Sequence, residues 1–167
     1  TTLSSAKGVE FLGNSSLGGN VTAQDGSIAL GDAAADDVTL TADVVLTATR
    51  TVALTGGVDG DFNLTFAGAG GNDVVETIGT MINNLSVTAG ALEAGTIDID
   101  GDLDADTAVS TDTGAITVDG TVDTESTLVS KLGVTVLGTS VLGGDVTAES
   151  GSIALGDATD DDVTLTA

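Results

Sequence analysis

The sequence predicts an all-β fold, a parallel β-helix (β-solenoid) whose coils take roughly 18–24 residues each. Three observations support this fold. Thr and Val are abundant, and both are β-branched residues that favour strands. Short segments of alternating apolar and polar residues are separated by Gly, Asn and Asp, which favour turns. A long internal repeat links the two ends of the chain, and stacked coils are a common architecture of repetitive β sequences.

The predicted strands are short, and each lies between clusters of Gly or Asp. Two or three strands of this size joined by tight turns make one coil, and each coil stacks on the one before it. The predicted strands cover residues 9–12, 20–23, 27–30, 38–42, 44–48, 51–55, 62–66, 85–88, 96–100, 115–119, 134–137, 146–148, 153–155 and 163–166.

The composition favours a folded chain with a narrow interior. Disorder requires low hydrophobicity, whereas 41% of the residues here are hydrophobic, despite a net charge of −23. The chain has three Phe and no Trp or Tyr, so its core must be filled by small aliphatic side chains.

The internal repeat has an offset of 125 residues. Residues 17–42 return as residues 142–167, and 29 of the 42 aligned pairs from Thr1/Ser126 onward are identical without a gap. The predicted organisation is therefore one long solenoid repeat over residues 1–125, followed by the start of the next copy over residues 126–167. No linker separates them, and we expect the natural protein to continue in both directions.

Two alternatives concern the fold. A tandem array of Ig-like β-sandwiches has units of comparable length, although the absence of Pro, Tyr and Trp and the shortness of the strands argue against it. Residues 73–83 are the one segment with a helical pattern.

Phrases such as Gly-Ser-Ile-Ala-Leu-Gly-Asp-Ala, Asp-Val-Thr-Leu-Thr-Ala and Asn-Leu-Thr-Phe resemble the degenerate repeats of filamentous-haemagglutinin-type proteins. The resemblance covers nearly the whole chain and is one of style and composition. It implies a long β-helix in a giant bacterial exoprotein that serves as an adhesin or surface fibre. It also implies a secreted or cell-surface location, with a host or neighbouring-cell surface as a partner. It carries no specific functional residue over to this chain.

The residue types present argue against catalysis. The chain has no His and no Cys, which excludes Ser-His-Asp and Cys-His nucleophiles and zinc sites built on those ligands. Carboxylate pairs of the glycosidase kind remain, but the basic and aromatic residues that bind sugars are scarce. The prediction is that the protein is not an enzyme.

The charge also restricts the partners. With 26 acidic and three basic residues, the chain repels nucleic acid and anionic membranes and attracts cations. No apolar run is long enough to insert into a membrane. The expected partners are further copies of the same repeat, in the same chain or in neighbouring chains.

Acidic residues alternate with apolar ones in the segment 97–106. If this segment is one extended strand, five carboxylates share a face, where Ca²⁺ can bridge them. The candidate metal ligands are Asp98, Asp100, Asp102, Asp104 and Asp106. The alternative is a solvated acidic face, which avoids the repulsion of desolvated like charges.

Two shorter patterns also suggest ligand binding. Residues 68–76 resemble one calcium-binding nonapeptide of the RTX family, which adds Asp73 as a metal candidate, although a plain turn explains a single copy. Thr-x-Thr pairs at Thr39, Thr47 and Thr164 resemble those of ice-binding solenoids. The function predicted is a structural or adhesive repeat module of a large secreted or filament-forming protein, with a Ca²⁺-dependent or ice-binding module as the alternative.

Overall fold

The computed structural model describes residues 2–79, 81–159 and 161–166. These residues form 23 short strands and no helix. The strands pair in parallel and wind through about eight turns of roughly 19 residues each. The predicted β-solenoid is therefore confirmed. Tandem Ig-like sandwiches are excluded, because their sheets are antiparallel.

The strands stack in three columns, A, B and C, which the chain visits in that order in each turn. Column A contains β1 (Leu3–Ser5), β4 (Val21–Ala23), β7 (Val44–Ala48), β10 (Phe62–Gly68), β12 (Ile82–Ala89), β14 (Asp102–Ala105), β17 (Val122–Thr124), β20 (Ser140–Leu142) and β23 (Val163–Leu165). Column B contains β2 (Val9–Phe11), β5 (Ile28–Leu30), β8 (Thr51–Leu54), β11 (Gly71–Ile78), β13 (Leu92–Ile99), β15 (Val109–Thr111), β18 (Leu128–Ser130) and β21 (Val146–Ala148). Column C contains β3 (Ser15–Leu17), β6 (Val38–Leu40), β9 (Val58–Asp59), β16 (Ile116–Val118), β19 (Val134–Val136) and β22 (Ile153–Leu155).

Columns B and C merge in the middle of the solenoid. There the long strands β11 and β13 each extend from column B past the bend into column C. Ile78, the last residue of β11, pairs with Val58 of β9, and the end of β13 pairs with β16. A bulge between Val74 and Thr77 bends β11 at this corner.

The interior is a thin stack of aliphatic side chains. Alternate residues of each strand point inward, so each column adds one row of Val, Leu or Ile per turn. Phe66 is the one aromatic residue among the fully buried side chains. The small side chains suit three walls that lie close together, as the composition predicted.

The coil length varies because two coils carry an extra loop. Eighteen residues separate Leu3 from its neighbour Val21 in column A, but 25 separate Val21 from Leu46. Most of the extra residues lie in the loop between β5 and β6, called here the β5–β6 loop. The β22–β23 loop lengthens the coil between Ser140 and Val163 in the same way.

The prediction of helical character over residues 73–83 is wrong. These residues belong to β11, the turn after it and the start of β12. Val74, Ile78 and Ile82 are buried at intervals of four residues, which mimics one face of a helix. The spacing arises instead from a strand with a bulge, followed by a corner.

The two copies of the repeat have the same strands but lie on different columns. The six strands from β1 to β6 and the six from β18 to β23 have bounds that differ throughout by the repeat offset. However, β4 lies in column A, whereas its counterpart β21 lies in column B. The repeat therefore advances the solenoid by six turns and one third of a turn.

Candidate functional site

The segment that carries most of the predicted metal ligands turns a corner and is not one strand. Asp98 lies near the end of β13, Asp100 lies in the bend that follows, and Asp102 and Asp104 lie in β14 of column A. The expected alternation holds, since Ile97, Ile99, Leu103 and Ala105 are buried. The expected single face is wrong, because the bend at 100–101 sends the acids to two sides of the solenoid.

Asp102 already has a role in the fold, as part of a side-chain ladder along the corner between columns C and A. Its Oδ1 accepts a hydrogen bond from the Thr121 backbone N–H at 2.8 Å, and its own N–H donates to Asn84 Oδ1 at 2.9 Å. Asn84 Nδ2 donates to Asn63 Oδ1, and the Asn63 N–H donates to Asp43 Oδ1. The ladder satisfies polar groups on successive coils where the chain turns.

Two of the other candidate ligands, Asp104 and Asp73, face another acid on the neighbouring coil, whereas Asp98 faces Thr117. Asp104 of β14 lies directly opposite Asp123 of β17, and Asp73 of β11 lies opposite Glu93 of β13. Parallel neighbours of like charge repel each other at this distance. These two pairs make the outer surface acidic at their positions.

Partial burial raises the pKa of Asp104, and the charges of Asp106 and Asp123 raise it further. The pKa of Asp98 is raised by partial burial and then by Asp119 and Asp100.

Asp73 follows the same pattern, with burial as the main cause and Asp112 as the second. Residues 69–70 form the turn expected for this segment, and the neighbouring Asn72 points inward. Asn72 Oδ1 accepts from the Gly68 N–H at 2.9 Å, while its Nδ2 donates to the carbonyl oxygens of Ala89 and Gly90. This Asn closes a corner, a role that the nonapeptide pattern did not indicate.

No cluster of three acidic side chains that could hold a metal ion occurs among residues 2–79, 81–159 and 161–166. The same residues include no helix that is long and apolar enough to cross a membrane.

The threonine pairs do not build a continuous ladder. Thr47 stacks on Thr22 but is followed by Ala67, and Thr39 lies between Ser16 and Asp59. Each outer row therefore mixes residue types, whereas a flat ice-binding face needs the same type in successive coils.

The β5–β6 and β22–β23 loops share one internal geometry. Asp36 Oδ2 accepts from the N–H groups of Asp32 and Ala33, at 3.0 and 2.8 Å. Asp161 Oδ2 accepts from Asp157 and Ala158, at 2.9 and 2.8 Å.

These hydrogen bonds lower the pKa of both carboxyls. Gly31 and Gly156 open the two loops with φ of 77° and 79°, a region that favours glycine. The sequence repeat is thus also a repeat of side-chain structure.

The two ends of the solenoid expose residues that belong to its core. Ile28 and Leu40 in the second coil are 0% and 2% exposed, because β7–β9 cover them. Their counterparts Ile153 and Leu165 are 45% and 76% exposed. At the other end, Leu3 is exposed while its counterpart Leu128 is buried. The difference comes from position alone, since these residue types are identical.

A scan against protein-family models gave no match, and no curated protein or solved structure matches the chain.

Proposed function

We propose that this chain is a structural module of an extended, repeat-built β-solenoid fibre, and that its ends bind further coils of the same repeat. The observation that carries this proposal is the structural repeat itself, in which β18–β23 and their loop reproduce β1–β6 on a continuous stack of coils. Ile153 and Leu165 are exposed where further coils cover the counterparts in the other copy. An open solenoid end also presents unpaired backbone N–H and C=O groups, which favour the addition of another strand. A further coil satisfies both requirements.

A second copy fits best in a head-to-tail orientation. This arrangement continues the parallel strand pairing of the solenoid, which a head-to-head contact reverses. The charges favour it as well. Residues 1–30 contain only Lys7, Glu10 and Asp25 as charged residues, whereas residues 145–167 contain six acids and no base. A tail-to-tail contact therefore brings two strongly acidic ends together, and a head-to-tail contact avoids this repulsion. A head-to-tail interface is heterologous and builds open filaments.

The proposal includes a secreted or cell-surface fibre, which can serve as an adhesive scaffold. The resemblance to filamentous-haemagglutinin-type repeats supports this finer assignment, and the acidic surface is suited to a salty exterior. The residue types support a non-catalytic role, because the chain has neither His nor Cys.

Sedimentation velocity and electron microscopy of the purified chain test the end-to-end contact. We expect the wild-type chain to associate into filaments of one coil's width as its concentration rises. Leu165→Asp should abolish this association, because it places a charge on the open end. Leu132→Asp is the matched control, since Leu132 is also exposed, at 51%, but lies in the turn between β18 and β19 on the side of the solenoid. A chain that stays monomeric at all concentrations, or equal effects of the two variants, would contradict the proposal.

A further inference from the structure

The 125-residue repeat and the solenoid turn are out of phase. The β5–β6 loop joins column B to column C, whereas the β22–β23 loop joins column C to column A. The two loops have the same hydrogen bonds and the same glycine geometry, yet they leave the solenoid at different corners.

We infer that successive copies of this repeat are each rotated by one third of a turn, so that a fibre built from them displays the same loop on all three of its edges in succession. The inference rests on the proposed function, because it concerns an array of repeats. From β4 to β21 the chain passes six complete turns and then one more column. Three copies therefore restore the starting column.

The rotation follows from how the repeat is built and not from a local distortion. Each of the first six strands has a counterpart one column later: β4, β5 and β6 in columns A, B and C correspond to β21, β22 and β23 in columns B, C and A. Each counterpart stays in register with the strand below it, as Ser140 does with Val163 and Leu128 with Val146. A shift by a whole column leaves inward and outward residues unchanged, so the core tolerates it.

The rotation also determines the spacing of the loops along the fibre. With about 4.8 Å per coil, consecutive loops are about 30 Å apart along the axis, and loops on one edge recur about every 91 Å. A partner that contacts one edge of the fibre therefore reaches the loop of only every third repeat. A flat partner surface that lies along one edge cannot engage the loops of consecutive repeats.

Paired spin labels on the 167-residue chain test the rotation. The chain has no Cys, so Ala33→Cys and Ala158→Cys place labels in the two loops without competing sites. The control pair is Ala33→Cys with Ser150→Cys. Ser150 lies between β21 and β22, at the same corner as Ala33, six coils further along.

The axial separations of the two pairs are nearly equal, at about 29–30 Å, but one pair crosses to the adjacent corner. We expect the Ala33/Ala158 distance to exceed the Ala33/Ser150 distance by several ångströms. Equal distances, or a shorter Ala33/Ala158 distance, would overturn the inference.

Electron microscopy of a designed array of four 125-residue units, with monovalent gold on Cys at each Ala33 position, extends the test. Gold on successive units should alternate among three edges, with the same edge marked at every third unit. Gold along one edge at every unit would also overturn the inference. Failure of the chain to associate end to end would contradict the proposed filament while leaving these label positions unchanged, so the two outcomes are distinguishable.

Discussion

At the scale of single residues, two buried serines of the interior differ in their hydrogen bonding. One hydroxyl bonds to the backbone at a corner, and the other has no partner. Ser130 is fully buried, and its hydroxyl donates to the carbonyl oxygen of Gly133 at 2.7 Å. Ser140 is equally buried, but its hydroxyl has no hydrogen-bond partner among the described residues. A buried hydroxyl without a partner has lost its hydration and gained nothing in exchange.

Alanine substitutions of these two serines should therefore have opposite effects on stability. We expect Ser140→Ala to raise the free energy of unfolding by about 1 kcal/mol, because it removes an unsatisfied buried group. Ser130→Ala should lower it by about 1–2 kcal/mol, because it leaves the Gly133 N–H without its acceptor and removes one donor from the Gly133 carbonyl oxygen. Urea denaturation followed by circular dichroism measures both values, and destabilisation of similar size in both variants would contradict the argument.

At the scale of the loops, the carboxyls divide into two groups with opposite pKa shifts. Asp36 and Asp161 accept backbone hydrogen bonds in their loops, and these bonds stabilise the charged form and lower the pKa of each. Asp98 and Asp104 lie on strands beside other acids, and partial burial raises the pKa of each. The two groups should respond to acid in opposite directions.

The sign of the pH dependence follows from proton linkage. On acidification from neutral pH, the folded chain takes up protons at Asp98 and Asp104 before the unfolded chain does, so stability rises as pH falls toward the ordinary Asp pKa of 3.8. Below that value the unfolded chain binds protons at Asp36 and Asp161, whereas the folded chain keeps these two carboxyls ionised. Stability therefore falls as pH drops through their lowered pKa values.

We therefore expect maximal stability at mildly acidic pH. Carbon-detected NMR titration of the carboxyls, with thermal melts at each pH, measures both effects. Equal pKa values for Asp36 and Asp104 would contradict the assignment of causes.

The strands themselves show how far the sequence allows prediction. The alternation in 44–48, 146–148 and 153–155 predicts β7, β21 and β22 with their observed bounds, because these strands lie between clear turn residues. Several of the other short strands, β3 and β17 among them, are not predicted, because one of their two inward positions carries a polar residue, Ser15 or Thr124, and the apolar-polar alternation is lost. Their positions are determined by the neighbouring coils to which they hydrogen-bond.

The candidate site shows the same limit. The inward and outward residues of 97–106 follow from alternation, but the corner at Gly101 does not. A Cβ on Gly101 would overlap the carbonyl oxygen of Asn83 on the preceding coil, so this glycine marks close stacking between coils. The sequence has 24 Gly, and nothing local distinguishes the one that splits the acidic segment.

At the scale of the whole molecule, the stacking of coils brings acidic residues together, and their repulsion opposes folding. The net charge is −23, and stacking places acids such as Asp104 and Asp123 directly above one another. The aliphatic core must offset this repulsion in every coil. Both the free energy of unfolding and the end-to-end contact should therefore depend on the ions in solution.

Salt is expected to raise the melting temperature of the chain. Each stacked acidic pair costs about 0.5 kcal/mol, and its relief by screening should raise Tm by roughly 1–2 °C in a domain of this size. The calcium hypothesis adds a separate expectation. At equal ionic strength, CaCl₂ should raise Tm more than MgCl₂ or NaCl, because only coordination distinguishes these salts beyond their ionic strength.

Differential scanning calorimetry in the three salts measures the rise in Tm caused by screening and the additional rise caused by Ca²⁺. Two variants test where Ca²⁺ binds. Asp104→Asn should remove the calcium increment if Asp104 and Asp123 hold the ion together, because an amide oxygen is a weaker ligand than a carboxylate. Glu10→Gln is the control, since Glu10 is an exposed acid in column B that pairs with Ala29 and not with another acid. Identical melting temperatures in the three salts at equal ionic strength would contradict the calcium hypothesis. The stacked acids would then act through their charge alone, by keeping the sides of neighbouring fibres apart while the uncharged core residues at the ends remain free to join.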